Sequence, residues 1–156
     1  MKKRTRIILY IAAVILAFTM FAVTWFYVVI WEPNRRFYHN EVWCTNASTN
    51  DIRNLCHHII SHRPGCPHDP FIHLCHIGNA ESVPLLIQAL NWQTPEGKET
   101  GICTTDHCLD ALRSLTGEDF GYLSTDWEQW WKETGSTLPV NYFHPRELKK
   151  RNTANK

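Results

Sequence analysis

The chain has 156 residues, a formal net charge of +1 and hydrophobic side chains at 44% of its positions. This nearly neutral charge lacks the basic excess by which nucleic-acid-binding proteins are recognised, so no nucleic-acid partner is expected. The length beyond residue 31 suffices for one folded domain with a core and is too short for two.

Residues 7–31 form an apolar run without a charged side chain. As an α-helix this run spans roughly 37 Å, which exceeds the ~30 Å hydrocarbon core of a bilayer. Residues 1–6 are basic, which by the positive-inside rule predicts a cytoplasmic N terminus. The far end carries aromatic side chains typical of the headgroup layer: Trp25, Phe26, Tyr27 and Trp31. We therefore expect a single-pass signal anchor at 7–31, with the following domain outside the cytoplasm.

A cleaved secretory signal is the alternative interpretation of this segment. Such signals usually have an apolar core of about 7 to 15 residues that ends at a small-x-small site. Here the run is longer, and bulky aromatic residues occupy that place. Pro33 is expected to end the helix, because proline disfavours helical geometry in the residue before it. Residues 32–49 are then predicted to form an irregular spacer.

Five helices are predicted in the following domain, because apolar residues recur there at helical spacing between turn signals. They cover 50–62, 69–77, 82–90, 106–116 and 125–134. Expected N-caps are Asn50 or Asp51, Ser82, and Thr104 or Thr105, with a capping box from Thr125 to Glu128. The short link between the second and third helices predicts an antiparallel hairpin. No alternating β pattern is present, so the fold class is all-α, and residues 136–156 are expected to form a solvated basic tail.

Two stretches carry a family resemblance. The first is LCHIGNAESVPLLIQAL at 74–90, and the second is LRSLTGEDFGY at 112–122 followed by Trp127, Trp130 and Trp131. Both resemble the helical-repeat proteins of the HEAT and armadillo kind. For residues 50–135 the resemblance implies a short α-solenoid of about five helices that binds a protein partner. Five helices are fewer than three full repeats, so disulfides, the tryptophan-rich end or a partner would have to complete the core.

All six cysteines follow the membrane run: Cys44, Cys56, Cys66, Cys75, Cys103 and Cys108. An even number suits three disulfides in an oxidising compartment, with 15 possible pairings. Cys103 and Cys108 are the favoured local pair, because a bridge there would join a loop to the first turn of the next helix. Buried thiols are the alternative.

The histidine- and cysteine-rich segment 56–76 suggests a second function, in metal binding or redox response. His58 and His62 lie four apart on one helix face, where two imidazoles suit a zinc ion. Further candidate ligands nearby are Cys66 and His68. No recognised metal or haem spacing occurs, so no metal or other cofactor is favoured.

No catalytic motif is present, neither a Gly-x-Ser-x-Gly elbow nor a phosphate-binding glycine loop. No enzymatic activity and no catalytic residue are therefore expected. The favoured function is a membrane-anchored helical module that binds or scaffolds a protein outside the cytoplasm, through a site that the sequence does not locate. A membrane component without a selective ligand is a further possibility.

Overall fold

The computed structural model describes residues 3–40, 45–63, 67–94, 96–97 and 103–147, and these residues are helical or irregular without any β-strand. The predicted all-α class is therefore confirmed. The chain divides into two compact units, Met1–Thr45 and Asn46–Lys156. Predictions for Cys44, Cys66, the stop at Pro64-Gly65 and the tail beyond Glu147 lie outside the described residues.

The first unit is one long helical rod. Helix α1, Lys3–Phe26, passes through a π-helical turn, Tyr27–Trp31, into helix α2, Glu32–His39. Every described side chain from Arg4 to Val28 is exposed. The segment Arg4–His39 is long and apolar enough to cross a membrane, and none of its most apolar stretch is buried by protein.

The predicted helix end at Pro33 is wrong, and so is the irregular spacer over its first part. Pro33 occupies the first turn of α2, where its missing N–H removes no necessary hydrogen bond. The π-helical turn makes this register possible, since the backbone N–H of Glu32 donates to the carbonyl oxygen of Tyr27, five residues back. The helix therefore continues past the proline to His39.

The second unit contains the five predicted helices. They are α3 (Thr49–His62), α4 (His68–Ile77), α5 (Ser82–Gln93), α6 (Cys103–Thr116) and α7 (Ser124–Glu133), followed by 3-10 turns at Gly135–Thr137 and Val140–Tyr142. Helix α6 packs on α4 and α5, α3 also packs on α4 and α5, and α7 packs on α5. Helices α4 and α5 thus both pack on α6. The antiparallel hairpin of α4 and α5 stays a prediction.

The core consists of the apolar stripes predicted from helical spacing. The large apolar side chains with at most 2% exposure are Ile59, Ile60, Phe71, Leu74, Val83, Leu86, Leu90, Leu109, Leu112, Leu115 and Trp127. Trp127 packs edge-on against Phe120, and its Nε1 donates to the carbonyl oxygen of Gly121 at 2.8 Å. This tryptophan fills the core and holds the preceding loop, as its helical spacing indicates.

All four cap assignments differ from the sequence-based expectation. Helix α5 begins at Ser82 with Glu81 in the N-cap position, so Ser82 is not the cap. Helix α3 begins with a capping box in which Ser48 is the N-cap and Asp51, the third residue of the helix, is its partner, so neither Asn50 nor Asp51 is the cap. Helix α7 begins at Ser124 with no side-chain cap, so the capping box from Thr125 is absent. Helix α6 begins at Cys103, ahead of the predicted cap residues.

The C-terminal segment up to Glu147 folds back onto α6, so a solvated tail starting at residue 136 is wrong for this part. Phe143 is buried against Trp131 at 5.5 Å between ring centroids. The backbone N–H of Arg146 donates to the carbonyl oxygen of Ser114 at 3.1 Å. The Arg146 guanidinium donates to the carbonyl oxygens of Leu115 and Tyr142. Arg146 thus satisfies backbone acceptors that the end of α6 leaves open.

We expect Arg146→Ala to lower the free energy of unfolding by about 1–3 kcal/mol, because hydrogen bonds from a charged donor are lost and helix carbonyls are left without partners. The free energy of unfolding of Arg146→Lys should lie between those of the wild type and Arg146→Ala, because one ammonium cannot form the same planar fork of hydrogen bonds. Chemical unfolding of the detergent-solubilised full chain, followed by tryptophan fluorescence, measures both changes.

Lys132→Ala is the matched control, because its 3.8 Å pair with Glu128 is exposed and contributes little. An Arg146→Ala midpoint equal to that of the control would contradict the capping role.

Candidate functional site

Residues 27–39, here called the collar, carry the polar contacts at the far end of the apolar rod. The rings of Tyr27 and Trp31 stack with centroids 5.0 Å apart. The Arg35 guanidinium lies 5.6 Å above the Trp31 ring. Arg35 also forms a two-pronged pair with Glu32, with Nε–Oε2 at 2.7 Å and Nη2–Oε1 at 2.9 Å. Arg36 reaches the same carboxylate at 3.4 Å.

The aromatic residues of the collar lie at the end of the apolar run, as the sequence predicts, whereas the role of Glu32 as a partner shared by two arginines was not predicted. Glu32, Arg35 and Arg36 have spacings of three and four residues, which bring side chains together on a helix. This signal is visible in the sequence only if the helix is continued through Pro33. The acid was instead interpreted as part of a helix stop.

A groove on the second unit lies between α5 and α7 and has a volume of about 140 Å³. It is lined by Pro84, Ile87, Gln88 and Asn91 from α5, and by Glu128, Trp131 and Lys132 from α7. Trp131 is half-buried, whereas Gln88 and Pro84 are exposed. The groove thus combines one large aromatic surface with a polar rim, as protein-binding surfaces do.

A second, larger cleft of about 370 Å³ lies beside the C-terminal segment. Its walls include Cys75 and His76 at the end of α4, Ser114 of α6, and Arg146. Ser114 Oγ donates to the carbonyl oxygen of Cys75 at 2.8 Å and also bonds Arg146. These polar groups form hydrogen bonds with one another, and the bonds link α4, α6 and the C-terminal segment.

Three of the cysteines that were candidates for disulfides are free thiols in the structure: Cys75, Cys103 and Cys108. The favoured Cys103–Cys108 bridge is absent, because both residues lie on α6 rather than on a loop and a helix. Five residues of helix rise about 7.5 Å, beyond the ~6.8 Å limit between the Cα atoms of a disulfide. Cys56 is buried on α3, and Cys44 and Cys66 lie outside the described residues.

The environments of these thiols differ strongly. Burial, reinforced by the Asp110 carboxylate, raises the pKa of Cys75 to about 12. Burial together with the neighbouring Cys75 raises the pKa of Cys108 well above its ordinary value. Cys103 is exposed on the first turn of α6. Since the thiolate is the reactive form, Cys75 and Cys108 are poor nucleophiles and Cys103 is the accessible one.

The alternative metal ligands occupy separate places. His58 and His62 stack on α3 with ring centroids 4.1 Å apart. His68 lies on α4, where it contacts Asp69 at 2.8 Å and packs edge-on against His107. Cys66 lies outside the described residues. Among the residues that the structure describes, no three histidine, cysteine or acidic side chains converge on a common point.

A histidine–serine pair links α3 to the start of α5. His57 Nε2 lies 2.8 Å from Ser82 Oγ, which accepts from the Asn79 backbone N–H at 3.1 Å and donates to Asn79 Oδ1 at 3.2 Å. Because the single serine hydrogen is directed to Asn79, the histidine must donate from Nε2. Ser82 is completely buried. The pair therefore has the geometry of a structural link and not of a nucleophile with its base.

The segment 74–90 that resembles a HEAT repeat covers the end of α4, the Gly78 turn and α5. Gly78 is required by close packing, since a Cβ atom would lie 2.6 Å from the carbonyl oxygen of Leu74 and 2.7 Å from Leu115 Cδ1. Comparison with known proteins gives no match among family models, curated proteins or solved structures. The HEAT-like solenoid and its implied partner therefore stay predictions.

His57 should make the stability of the second unit depend on pH. Burial lowers its pKa from 6.5, with an opposing contribution from Glu81 and a further lowering by Arg53. The unfolded chain then binds more protons than the folded chain near its own pKa of about 6.5. Stability from the neutral imidazole is complete above this pKa and is lost as the pH falls through it towards the folded pKa.

We expect His57→Gln to reduce the loss of stability between about pH 7.5 and 5, because its amide can still bond Ser82 Oγ but does not titrate. Denaturant unfolding at several pH values gives the slope for each chain. An NMR titration of the wild-type imidazole should give a midpoint below 6.5. Equal pH slopes for the two chains would show that His57 is not the responsible group.

Proposed function

We propose that this chain is a single-pass membrane-anchored helical module that binds or scaffolds another protein outside the cytoplasm. The observation that supports anchoring is the Arg4–His39 rod, whose most apolar stretch is not covered by any part of the described protein. Apolar surface on this scale is unfavourable in water, and a bilayer removes it from water. An uncleaved anchor, rather than a signal peptide, agrees with a helix that continues beyond the aromatic end.

The proposed orientation rests on the charges that flank the rod. Four basic residues precede the apolar run 7–31, namely Lys2, Lys3, Arg4 and Arg6, whereas Arg35 and Arg36 follow this run. Basic side chains are retained on the cytoplasmic side during insertion. The second unit is then exported from the cytoplasm. It can fold there because its own C-terminal segment closes its core.

The binding role is supported by the α5–α7 groove. Its half-buried Trp131 offers the kind of aromatic anchor that dominates protein interfaces, and its rim carries Gln88, Asn91 and the Glu128–Lys132 pair. These rim side chains are not part of the core. The groove is therefore the part of the domain that can accept a partner without loss of folding energy.

Labelling of Cys103 tests the membrane topology, because this thiol is exposed while Cys75 and Cys108 are protected. We expect a membrane-impermeant maleimide, added to intact cells after brief impermeant reduction, to modify Cys103. Peptide mass spectrometry should find Cys75 and Cys108 modified only after unfolding. The intact mass should include residues 1–31.

Cys103→Ser is the control that removes the corresponding labelled peptide without changing the others. Labelling of Cys103 only after the cells are permeabilised would place the domain in the cytoplasm. A mature chain that lacks residues 1–31 would show that this segment is a cleaved signal and not an anchor.

Partner binding through the groove is tested with Gln88→Arg. The longer, charged arginine side chain occupies part of the groove and has to lose water when a partner binds, so recovery of the bound protein should fall about tenfold or more. Crosslinking in membranes followed by affinity capture measures this recovery. The substitution should leave unfolding unchanged, because Gln88 is exposed.

Gln129→Arg provides a matched control on α7, where the side chain is exposed and outside the groove. It should bind like the wild type. Equal recovery with both variants, or no protein recovered above an empty-vector control, would contradict binding at this groove.

A further inference from the structure

We propose that the collar lies in the lipid headgroup layer, where Glu32 takes the place of a lipid phosphate against Arg35 and Arg36. This inference rests on the proposed membrane anchoring and adds to it the class of ligand at one end of the rod. The ligand is a phospholipid headgroup. The function of Glu32 is to weaken the preference of the two arginines for anionic over zwitterionic lipids.

The length of the rod places the collar at the interface. Residues 7–26 rise about 30 Å as an α-helix, which equals the hydrocarbon thickness of a typical bilayer. The π-helical turn Tyr27–Trp31 follows directly. With residue 7 at one edge of the hydrocarbon, the collar begins at the opposite edge.

The side chains of the collar have the chemistry of this layer. Tyr27 and Trp31 are aromatic residues with a polar atom, and both are exposed in the described protein. Such rings favour the boundary between hydrocarbon and headgroups. Asn34 Nδ2 donates to the carbonyl oxygen of Ile30 at 2.8 Å, so even polar groups close to the hydrocarbon have an internal partner.

The Glu32 contacts resemble those that a phosphate would make. Two nitrogens of Arg35 grip the two carboxylate oxygens at 2.7 and 2.9 Å, and Arg36 approaches one of them at 3.4 Å. A guanidinium binds carboxylate and phosphate with the same planar fork. Both arginines remain about two-fifths exposed, at 40% and 43%. An adjacent phosphate can therefore reach them, in competition with Glu32.

Glu32→Gln tests this assignment in the full chain. Loss of the carboxylate leaves one more unneutralised guanidinium near the headgroups. We expect the ratio of bound phosphatidylglycerol to bound phosphatidylcholine to rise about fivefold. Native mass spectrometry of protein released from nanodiscs that contain equal amounts of the two lipids measures this ratio. The double variant Glu32→Gln/Arg36→Gln should return towards the wild-type ratio.

Glu133→Gln in the second unit is the charge-matched control and should leave the ratio unchanged. A carbonate-resistant, membrane-integrated Glu32→Gln chain with the wild-type lipid ratio would overturn the collar inference and leave the anchor intact. Release of the wild-type chain by alkaline carbonate would instead overturn the anchor itself. The two failures are thus distinguished by membrane retention.

Discussion

The exclusion of water from the apolar rod is the constraint on which the other features depend. Each large apolar side chain gains about 1.5–3 kcal/mol when it leaves water, and the rod presents more than a full bilayer thickness of such side chains. None of its most apolar stretch is covered by protein. The uncovered free energy is on the order of tens of kcal/mol, far more than the net stability of a small domain. The environment of the rod must therefore supply the apolar contact.

The second unit solves a different problem, that of closing a core with few helices. Helix α6 carries completely buried residues such as Leu109, Leu112 and Leu115, and it packs on both α4 and α5. Without the C-terminal segment, the carboxyl end of α6 would leave carbonyl groups open beside the core. The guanidinium of Arg146 and the hydroxyl of Tyr142 bond the carbonyl oxygens of Leu115 and Thr116. The C-terminal segment thus supplies closure that a further helix pair would otherwise provide.

Helical periodicity in the sequence was enough to find the helices and their buried stripes, because 3.6-residue spacing follows directly from side-chain direction. Helical periodicity failed to predict structure that depends on contacts with other parts of the chain or on an irregular helical turn. Pro33 is tolerated through a π-helical turn, and Arg146 is ordered by carbonyl groups about thirty residues away in sequence. At the candidate site, the aromatic end of the rod was predictable. The α5–α7 groove was not, since it requires the packing of two helices that are separated in the sequence by the whole of α6.

The thiol environments bear on the choice between a binding module and a redox-responsive protein. Because burial raises the pKa of Cys75 to about 12, this residue is almost entirely a neutral thiol at neutral pH. Cys108 is completely buried, so neither residue offers the reactive sulfur that a sensor needs. Within the described residues only Cys103 combines a thiol with exposure, and it lies outside the segment 56–76 that motivated a redox role. Cys75 and Cys108 are thus unreactive thiols held in protected environments.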